Sequence, residues 1–170
     1  MRIASLLFAI VMTILTASAL AGLRLNLTGS MPIGLYRVAD VPVKRNTTVL
    51  ACLPPRIAQF AHARGYVPNG YCRSGVAPVG KEIVAVGGDT VTMTAAGIEV
   101  NGHLLLNSRP LRSDARGRAL PQLEQRSQVV RSHELWLLSS NSARGFDSRY
   151  FGALTDDCVV AEIVPLVTGS

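Results

Sequence analysis

The stretch KEIVAVGGDTVTMTAAGIEVNGHLLL, residues 81–106, decides the fold class of this chain. It contains three short runs of β-favouring residues, separated by Gly87-Gly88-Asp89 and by the residues around Gly97. Asn101-Gly102 follows the third run, and Asn-Gly between apolar runs is the strongest short-range signal for a β-hairpin. The stretch therefore predicts consecutive antiparallel strands joined by tight turns.

Strand-like patterns continue on both sides of this stretch. They cover the segments Gly34–Val38, Thr47–Leu53, Glu134–Leu138 and Val159–Val167. Ile57–Arg64 instead carries apolar residues at helical spacing, with Gly65 as a stop. Residues 107–128 are polar, with two prolines and several arginines, and are interpreted as a loop or small inserted excursion. We therefore predict a mainly β fold, with an antiparallel β domain over residues 24–170.

The N-terminal residues predict a membrane helix. No residue from Ile3 to Leu23 is charged, and a bilayer core of ~30 Å needs about 20 helical residues. Arg2 precedes the run, so the positive-inside rule leaves the N-terminus in the cytoplasm and the domain in the periplasm. Ala17-Ser18-Ala19 resembles a cleavage site, so residues 1–23 are either a retained inner-membrane anchor or a removed signal peptide. Both interpretations export the domain.

The composition limits the possible partners. The chain has 170 residues, a net charge of +6 and 48% hydrophobic residues, which is too apolar for a disordered chain. The dense basic cluster is formed by Arg112, Arg116 and Arg118. It lacks aromatic platforms or a reading helix, so it indicates a solvated loop or a contact with anionic lipid head groups rather than nucleic-acid binding.

Histidines and cysteines give further limits. The three histidines have no metal-ligand spacing, so we predict neither a metal nor a cofactor; they are His62, His103 and His133. Cys52 and Cys72 flank a stretch rich in proline and glycine, and a disulfide between them is a reasonable expectation outside the cytoplasm. Cys158 lies in an apolar run and is interpreted as a small buried hydrophobic residue.

Three short stretches carry polar residues suited to catalysis. Ser30 lies in TGSMP, residues 28–32, close to the predicted membrane surface. Lys81 begins an apolar strand; burial would lower its pKa and allow it to accept the proton of a serine hydroxyl. FDSRYFG, residues 146–152, combines an acid, a base, a hydroxyl and aromatic rings. Each stretch alone also fits an ordinary turn or an exposed strand end, so their order along the chain is the informative feature.

These stretches resemble the boxes of a known enzyme family. SMPIGLYR, KEIVAVGGD and FDSRYFG are similar, in this order, to the serine, lysine and C-terminal boxes of type I signal peptidases. The resemblance covers essentially the whole exported part. The small region between Asp89 and Glu134 is most like the conjugative-transfer branch of that family. The resemblance implies a membrane-associated serine endopeptidase that processes an exported precursor, a pilin in that branch, with other conjugation or secretion components as possible partners.

The resemblance also implies a role for each matched residue. Ser30 would be the nucleophile and Lys81 the general base, and the oxyanion hole would combine the Ser30 N–H with the Thr28 hydroxyl. Asp147 would be a third catalytic residue, and its ion pair with arginine would clamp the strand that carries Lys81. The residues matched to supporting positions are Met31, Pro32 and Arg149.

Three positions depart from the family pattern. Glu82 follows the lysine where arginine is usual, and Gly87 stands where proline usually precedes Gly-Asp. Gly145 stands where many members have a serine that orients the lysine. Ser142 or Ser140 would then have to orient Lys81.

Two alternative functions stay open. One is a general leader peptidase, and the other is a non-catalytic structural component of a conjugation or secretion apparatus, which Glu82 and Gly145 motivate. The product is open as well. An acyl-enzyme can pass its acyl group to water, which gives two fragments, or to an amine of the same substrate, which gives a cyclic pilin.

Overall fold

The computed structural model describes residues 2–139 and 141–169. Its helices and strands, in chain order, are α1 (Arg2–Leu20), β1 (Leu23–Asn26), β2 (Gly34–Ala39), β3 (Thr48–Ala51), α2 (Pro55–Ala63), β4 (Val79–Val86), β5 (Thr90–Met93), β6 (Ile98–Val100), β7 (His103–Leu104), β8 (Ser127–Val129), β9 (Glu134–Leu138), α3 (Ser148–Phe151), β10 (Leu154–Thr155) and β11 (Val159–Thr168). Every strand pair in the described residues is antiparallel, so the prediction of a mainly β, antiparallel fold is confirmed.

The strands form two sheets. The larger sheet has the order β1-β2-β11-β3-β4-β9-β10, and the smaller has the order β7-β6-β5-β8. The strand β11 therefore lies between β2 and β3, and it connects the N-terminal strand pair to the rest of the large sheet. The strand β4, which carries Lys81, pairs with β3 on one side and with β9 on the other.

The register between β4 and β9 decides what lies next to Lys81. Glu82 is opposite Leu138 in this antiparallel pair. The residue after Leu138 is Ser139, which therefore comes level with Lys81 across the sheet. A change of register occurs farther along, between Ile83 and Ala85, and it leaves this end of the pair unaffected.

Two apolar clusters cover the two faces of β4. The first contains Ile83, packed with residues of β3, β9 and α2. The second contains Val84 and Ala85, packed with Trp136 and with residues of the smaller sheet. Because β4 is buried on both faces, a charged side chain at its start enters an apolar interior, which explains the burial of Lys81.

The N-terminal segment is helical from Arg2 to Leu20, and β1 begins at Leu23. Within the described ranges, no helix is both long enough and apolar enough to cross a membrane.

Several local expectations can be compared with the structure. Asn101 and Gly102 have φ values of 52° and 80°, so both adopt the positive φ that a tight hairpin turn requires, and the predicted hairpin is confirmed. The strand β8 begins at Ser127, so the loop predicted over residues 107–128 is two residues shorter. The strand β1 was not predicted because its first residue, Leu23, was assigned to the predicted membrane segment. The strand β10 has only two residues, too few to show a period.

A disulfide joins Cys52, just after β3, to Cys72 in the loop that leads to β4, with a sequence separation of 20. Replacing both cysteines by alanine is expected to lower the free energy of unfolding by about 3 kcal/mol, because the unfolded chain regains the entropy of an open loop. Urea unfolding under oxidising conditions measures the difference. Cys158→Ala is the control, since Cys158 is a free thiol, and its effect should be clearly smaller. Equal effects of the two changes would contradict the prediction.

Candidate active site

A cavity of about 680 Å³ brings residues of all three predicted stretches together. Thr28, Gly29 and Ser30 line it on one side, and Gly80 and Lys81 line it next to them. The third stretch contributes Phe146 and Tyr150, and the loop before it contributes Ser142, Arg144 and Gly145. The structure therefore places Ser30 and Lys81 at one cavity.

The turn that carries Ser30 is organised by Asn26, at the end of β1. The Asn26 amide donates to the backbone oxygens of Thr28, Met31 and Pro32 at 2.9, 3.1 and 3.0 Å. Its Oδ1 accepts from the Thr28 hydroxyl at 2.7 Å. Asn26 was not predicted as a site residue, because its burial and its place at the end of β1 are visible only in the structure.

The candidate nucleophile lies between this turn and β4. The Ser30 Oγ is 3.2 Å from the Thr28 Oγ1 and 3.4 Å from the backbone oxygen of Gly80. Met31 is buried directly against Gly80, where an added Cβ would come within 2.6 Å of its sulfur. The Tyr36 hydroxyl donates to the Pro32 oxygen at 2.7 Å. Met31 and Pro32 thereby fix the serine turn against the strand that carries the lysine.

Lys81 is the candidate base, and its side chain is almost fully buried, with 4% of its surface exposed. Burial disfavours the charged ammonium and lowers the pKa of Lys81 to about 8. The negative charge of Asp147 opposes this shift, and the positive charge of Arg149 adds to it. At pH 7 roughly a tenth of Lys81 is then the neutral amine, far more than for an ordinary lysine with a pKa of ~10.4.

Ser139 holds the amine. The Lys81 Nζ donates to the Ser139 Oγ at 2.6 Å, and both groups are buried. The expectation that Ser142 orients Lys81 is wrong, since the Ser142 hydroxyl instead accepts from the Arg144 N–H at 3.2 Å. Ser140, the other residue proposed for this role, lies outside the described residues. Ser139 was missed because its position depends on the β4–β9 register and not on the motif around Asp147.

Asp147 and Arg149 form a fully buried ion pair behind the cavity wall, with 0% exposure for both. The Arg149 Nε and Nη2 donate to the two carboxylate oxygens at 2.8 Å each. The Ser139 N–H donates to the Asp147 Oδ2 at 2.9 Å. The pair thus fixes Ser139 at the end of β9, and it acts on Lys81 through Ser139, whereas we expected a clamp on β4 itself.

Arg149 also fixes two loops. It donates to backbone oxygens of residues in the inserted excursion and in the loop before Asp147; these are Asn107, Ser142, Ala143 and Gly145. Neither Asp147 nor Arg149 is among the described residues that line the cavity. In this geometry Asp147 is a positioning residue rather than a group that contacts substrate.

The excursion forms the opposite wall of the cavity. Its organising residue is Asp114, whose carboxylate accepts from the Tyr66 hydroxyl at 2.5 Å and from the Arg118 Nε at 2.7 Å. The hydrogen bond from Tyr66, together with those from Arg118, holds the pKa of Asp114 below its usual range. Arg118, which we expected in a solvated cluster, therefore stabilises a wall of the site.

Comparisons with known proteins identify the family of this chain. Residues 1–167 match the sequence model of the family described as signal peptidase, peptidase S26. A plasmid transfer protein TraF of Escherichia coli is 38% identical over 150 residues, which cover 87% of this chain and 84% of that protein. A conjugal transfer protein TraF of Agrobacterium tumefaciens (strain 15955) is 38% identical over 165 residues, which cover 94% and 91%.

Among solved structures, a signal peptidase I from Enterococcus faecalis V583 aligns with a TM-score of 0.42 and 19% identity, over 73% of this chain and 98% of that chain. The family match extends over nearly the whole sequence, and the conjugal transfer proteins are similar over most of their own length. The chain therefore belongs to the S26 family of signal peptidases, and it is a serine-type peptidase.

Proposed function

We propose that this protein is a membrane-associated endopeptidase that processes an exported precursor, a conjugative pilin, with Ser30 as nucleophile and Lys81 as general base. The observation that carries the proposal is a buried lysine with a pKa of about 8 in the cavity that also contains Ser30. Burying an amine lowers the stability of the fold, and strongly shifted pKa values of this kind cluster at functional sites. A general base is most effective when its pKa lies near the working pH.

The proposed reaction assigns a step to each of these groups. The neutral amine of Lys81 accepts the proton of Ser30 as its oxygen bonds to the substrate carbonyl carbon. The carbonyl oxygen becomes negative and is stabilised by the Ser30 N–H and by the Thr28 hydroxyl, which lies 3.2 Å from the Ser30 Oγ. For this step the Thr28 hydroxyl turns its one proton from the Asn26 Oδ1 to the oxyanion. The carbon–nitrogen bond then breaks, Lys81 returns the proton to the leaving amine, and an acyl-enzyme remains. Water or a second amine, deprotonated by Lys81, releases the acyl group.

The similarity to conjugal transfer proteins supports a pilin precursor as the substrate. Localisation follows from the same proposal: residues 3–23 associate the protein with the inner membrane, and the domain faces the periplasm. The disulfide supports an oxidising compartment. A non-catalytic component would not need a buried lysine amine at the cavity, hydrogen-bonded to Ser139, so this contact argues against that alternative.

Co-expression with a pilin precursor tests the proposal. Intact mass spectrometry should show a shortened precursor with the wild-type chain and the full-length precursor with Ser30→Ala. The control is Ser132→Ala, an exposed serine outside the cavity, which should process like wild type. A product lighter than the linear fragment by one water would identify cyclisation. Processing by Ser30→Ala at the wild-type rate would overturn the assignment of the nucleophile.

The pH dependence of processing provides a second test. Because Lys81 acts in its neutral form, kcat/KM should rise with pH and level off above the Lys81 pKa of about 8. The chain has only one other lysine, Lys44, which is exposed. Lysine-labelled NMR should therefore show one signal for each lysine, and the Lys81 signal should titrate near pH 8. A Lys81 signal that titrates at the ordinary lysine pKa of ~10.4 would contradict the depressed pKa.

The role of Thr28 can be tested separately. Thr28→Val removes the hydroxyl while keeping the shape of the side chain, and it should lower kcat by about 10²- to 10³-fold, because one oxyanion donor is lost. Thr28→Ser keeps the hydroxyl and should stay near the wild-type rate. Single-turnover cleavage of a precursor peptide measures both variants. If both lose activity equally, packing against Asn26 rather than the hydroxyl is responsible.

A further inference from the structure

Ser139 and Gly145 compete for one volume of space. A Cβ built on Gly145 would lie 1.8 Å from the Ser139 Oγ and 2.2 Å from the Ser139 Cβ, distances at which two side chains cannot coexist. The two residues next to that Cβ are Ser139 and Asp147. Both are buried and hydrogen-bonded, so neither can move aside without losing a hydrogen bond. Position 145 must therefore lack a side chain as long as position 139 is serine.

The requirement for glycine is one of space and not of backbone conformation. Gly145 is absent from the described glycines with positive φ, so its backbone suits any residue. Gly145 also lines the cavity, whereas Ser139 has no exposed surface and reaches the site from behind the wall. The hydroxyl beside Lys81 could thus be supplied from either position, but only from one at a time.

The contacts of Ser139 show why this position supplies it here. Its Oγ is 2.6 Å from the Lys81 Nζ, and its N–H donates to the Asp147 Oδ2 at 2.9 Å. The same Asp147 oxygen would be 3.1 Å from a Cβ at position 145. The side chain and the backbone of Ser139 are therefore both fixed by hydrogen bonds. The Lys81 amine is aligned by Ser139, and the Asp147–Arg149 pair holds Ser139 in place.

We infer that Ser139 is the positioning residue of the base, and that Ser139 and Gly145 form a mutually exclusive pair in which exactly one side chain places a hydroxyl beside Lys81. This inference rests on the proposed function of Lys81. The volume filled by the Ser139 Oγ lies about one bond length from a Cβ at position 145. A serine at position 145, with glycine at position 139, can therefore return an oxygen to nearly the same place.

Four variants test the inference: Ser139→Gly, Gly145→Ser, the exchange Ser139→Gly/Gly145→Ser, and Ser139→Gly/Gly145→Ala. Ser139→Gly should lower kcat by about 10²-fold with KM nearly unchanged, since the amine loses its alignment while the substrate walls remain. Gly145→Ser alone should lower kcat and also lower Tm by roughly 5 °C, because the site is overpacked. The exchange should recover both kcat and Tm.

The alanine version separates the hydroxyl from packing. It restores a Cβ at position 145 but no oxygen, so it should recover Tm but not kcat. Equal recovery of kcat by alanine and serine at position 145 would overturn the positioning role. An exchange variant no better than Ser139→Gly in either readout would overturn mutual exclusion.

The Tm values test the steric exclusion between positions 139 and 145 independently of the proposed peptidase activity. If wild type processes no precursor and Lys81→Met is no different from it, the proposed function fails. The steric pair is still decided by whether Gly145→Ser destabilises the chain only when position 139 is serine.

Discussion

Lys81→Met is expected to reduce precursor processing by about 10³-fold or more while leaving the fold intact. Methionine nearly retains the length and the burial of the lysine side chain but has no amine, so no base remains to accept the Ser30 proton; general bases typically contribute ~10²- to 10⁴-fold. The loss is measured as the rate constant for cleavage of a precursor peptide at ~pH 8.5 or above, where the wild-type amine is mostly neutral.

Stability should move in a different direction from activity. At neutral pH the folded chain holds Lys81 in surroundings that disfavour its charge, and methionine removes this penalty. The unpartnered Ser139 hydroxyl costs about 1 kcal/mol in return, which offsets only part of this gain, so the free energy of unfolding should rise rather than fall. Lys44→Met, at the exposed lysine, is the matched control and should retain full activity. Activity of Lys81→Met near that of Lys44→Met would refute the assignment of the base.

Arg149→Met should destabilise the protein by about 3–5 kcal/mol, since it leaves the Asp147 carboxylate buried without its partner. The backbone oxygens that Arg149 serves in two loops lose their donor in the same step. Equilibrium unfolding in urea measures the change. Arg144→Met is the control in the same loop; because Arg144 is exposed, its effect should stay within about 0.5 kcal/mol.

A paired change tests the cause of this loss. If the unpaired charge dominates, Asp147→Leu/Arg149→Met should be more stable than Arg149→Met alone, because no charge is then left in the interior. If the double variant is less stable than Arg149→Met, the loops depend mainly on the hydrogen bonds that Asp147 still makes with Ser139. In both cases we expect activity to fall, because Ser139 loses its fixed position.

The sequence was sufficient for features encoded locally. Asn101-Gly102 carries its own turn geometry, and the strands around it follow from it. Lys81 could be named from its motif, but the direction of its side chain could not be derived, because a strand buried on both faces has no polar–apolar alternation to reveal it.

Features that depend on strand pairing could not be read from the chain. Ser139 and Lys81 are 58 residues apart in sequence, and only the register of β4 against β9 brings them together. Motif positions close to Asp147 suggested Ser142, whose hydroxyl serves its own loop. Asn26 likewise acquires its role from the turn it organises. The compensating relation between Gly145 and Ser139 is visible only once both are placed in space.

The position of β11 also governs when the site can exist. The strand pair β1–β2 flanks the turn with Ser30, β4 carries Lys81, and β11 is the strand through which the backbone ladder joins them. During synthesis the ribosome delivers the serine turn first, the lysine strand next and this connecting strand after both. A nascent chain that still lacks β11 lacks the backbone pairing between β2 and β3, so the sheet that holds the Ser30 turn beside the Lys81 strand is incomplete until β11 has been made.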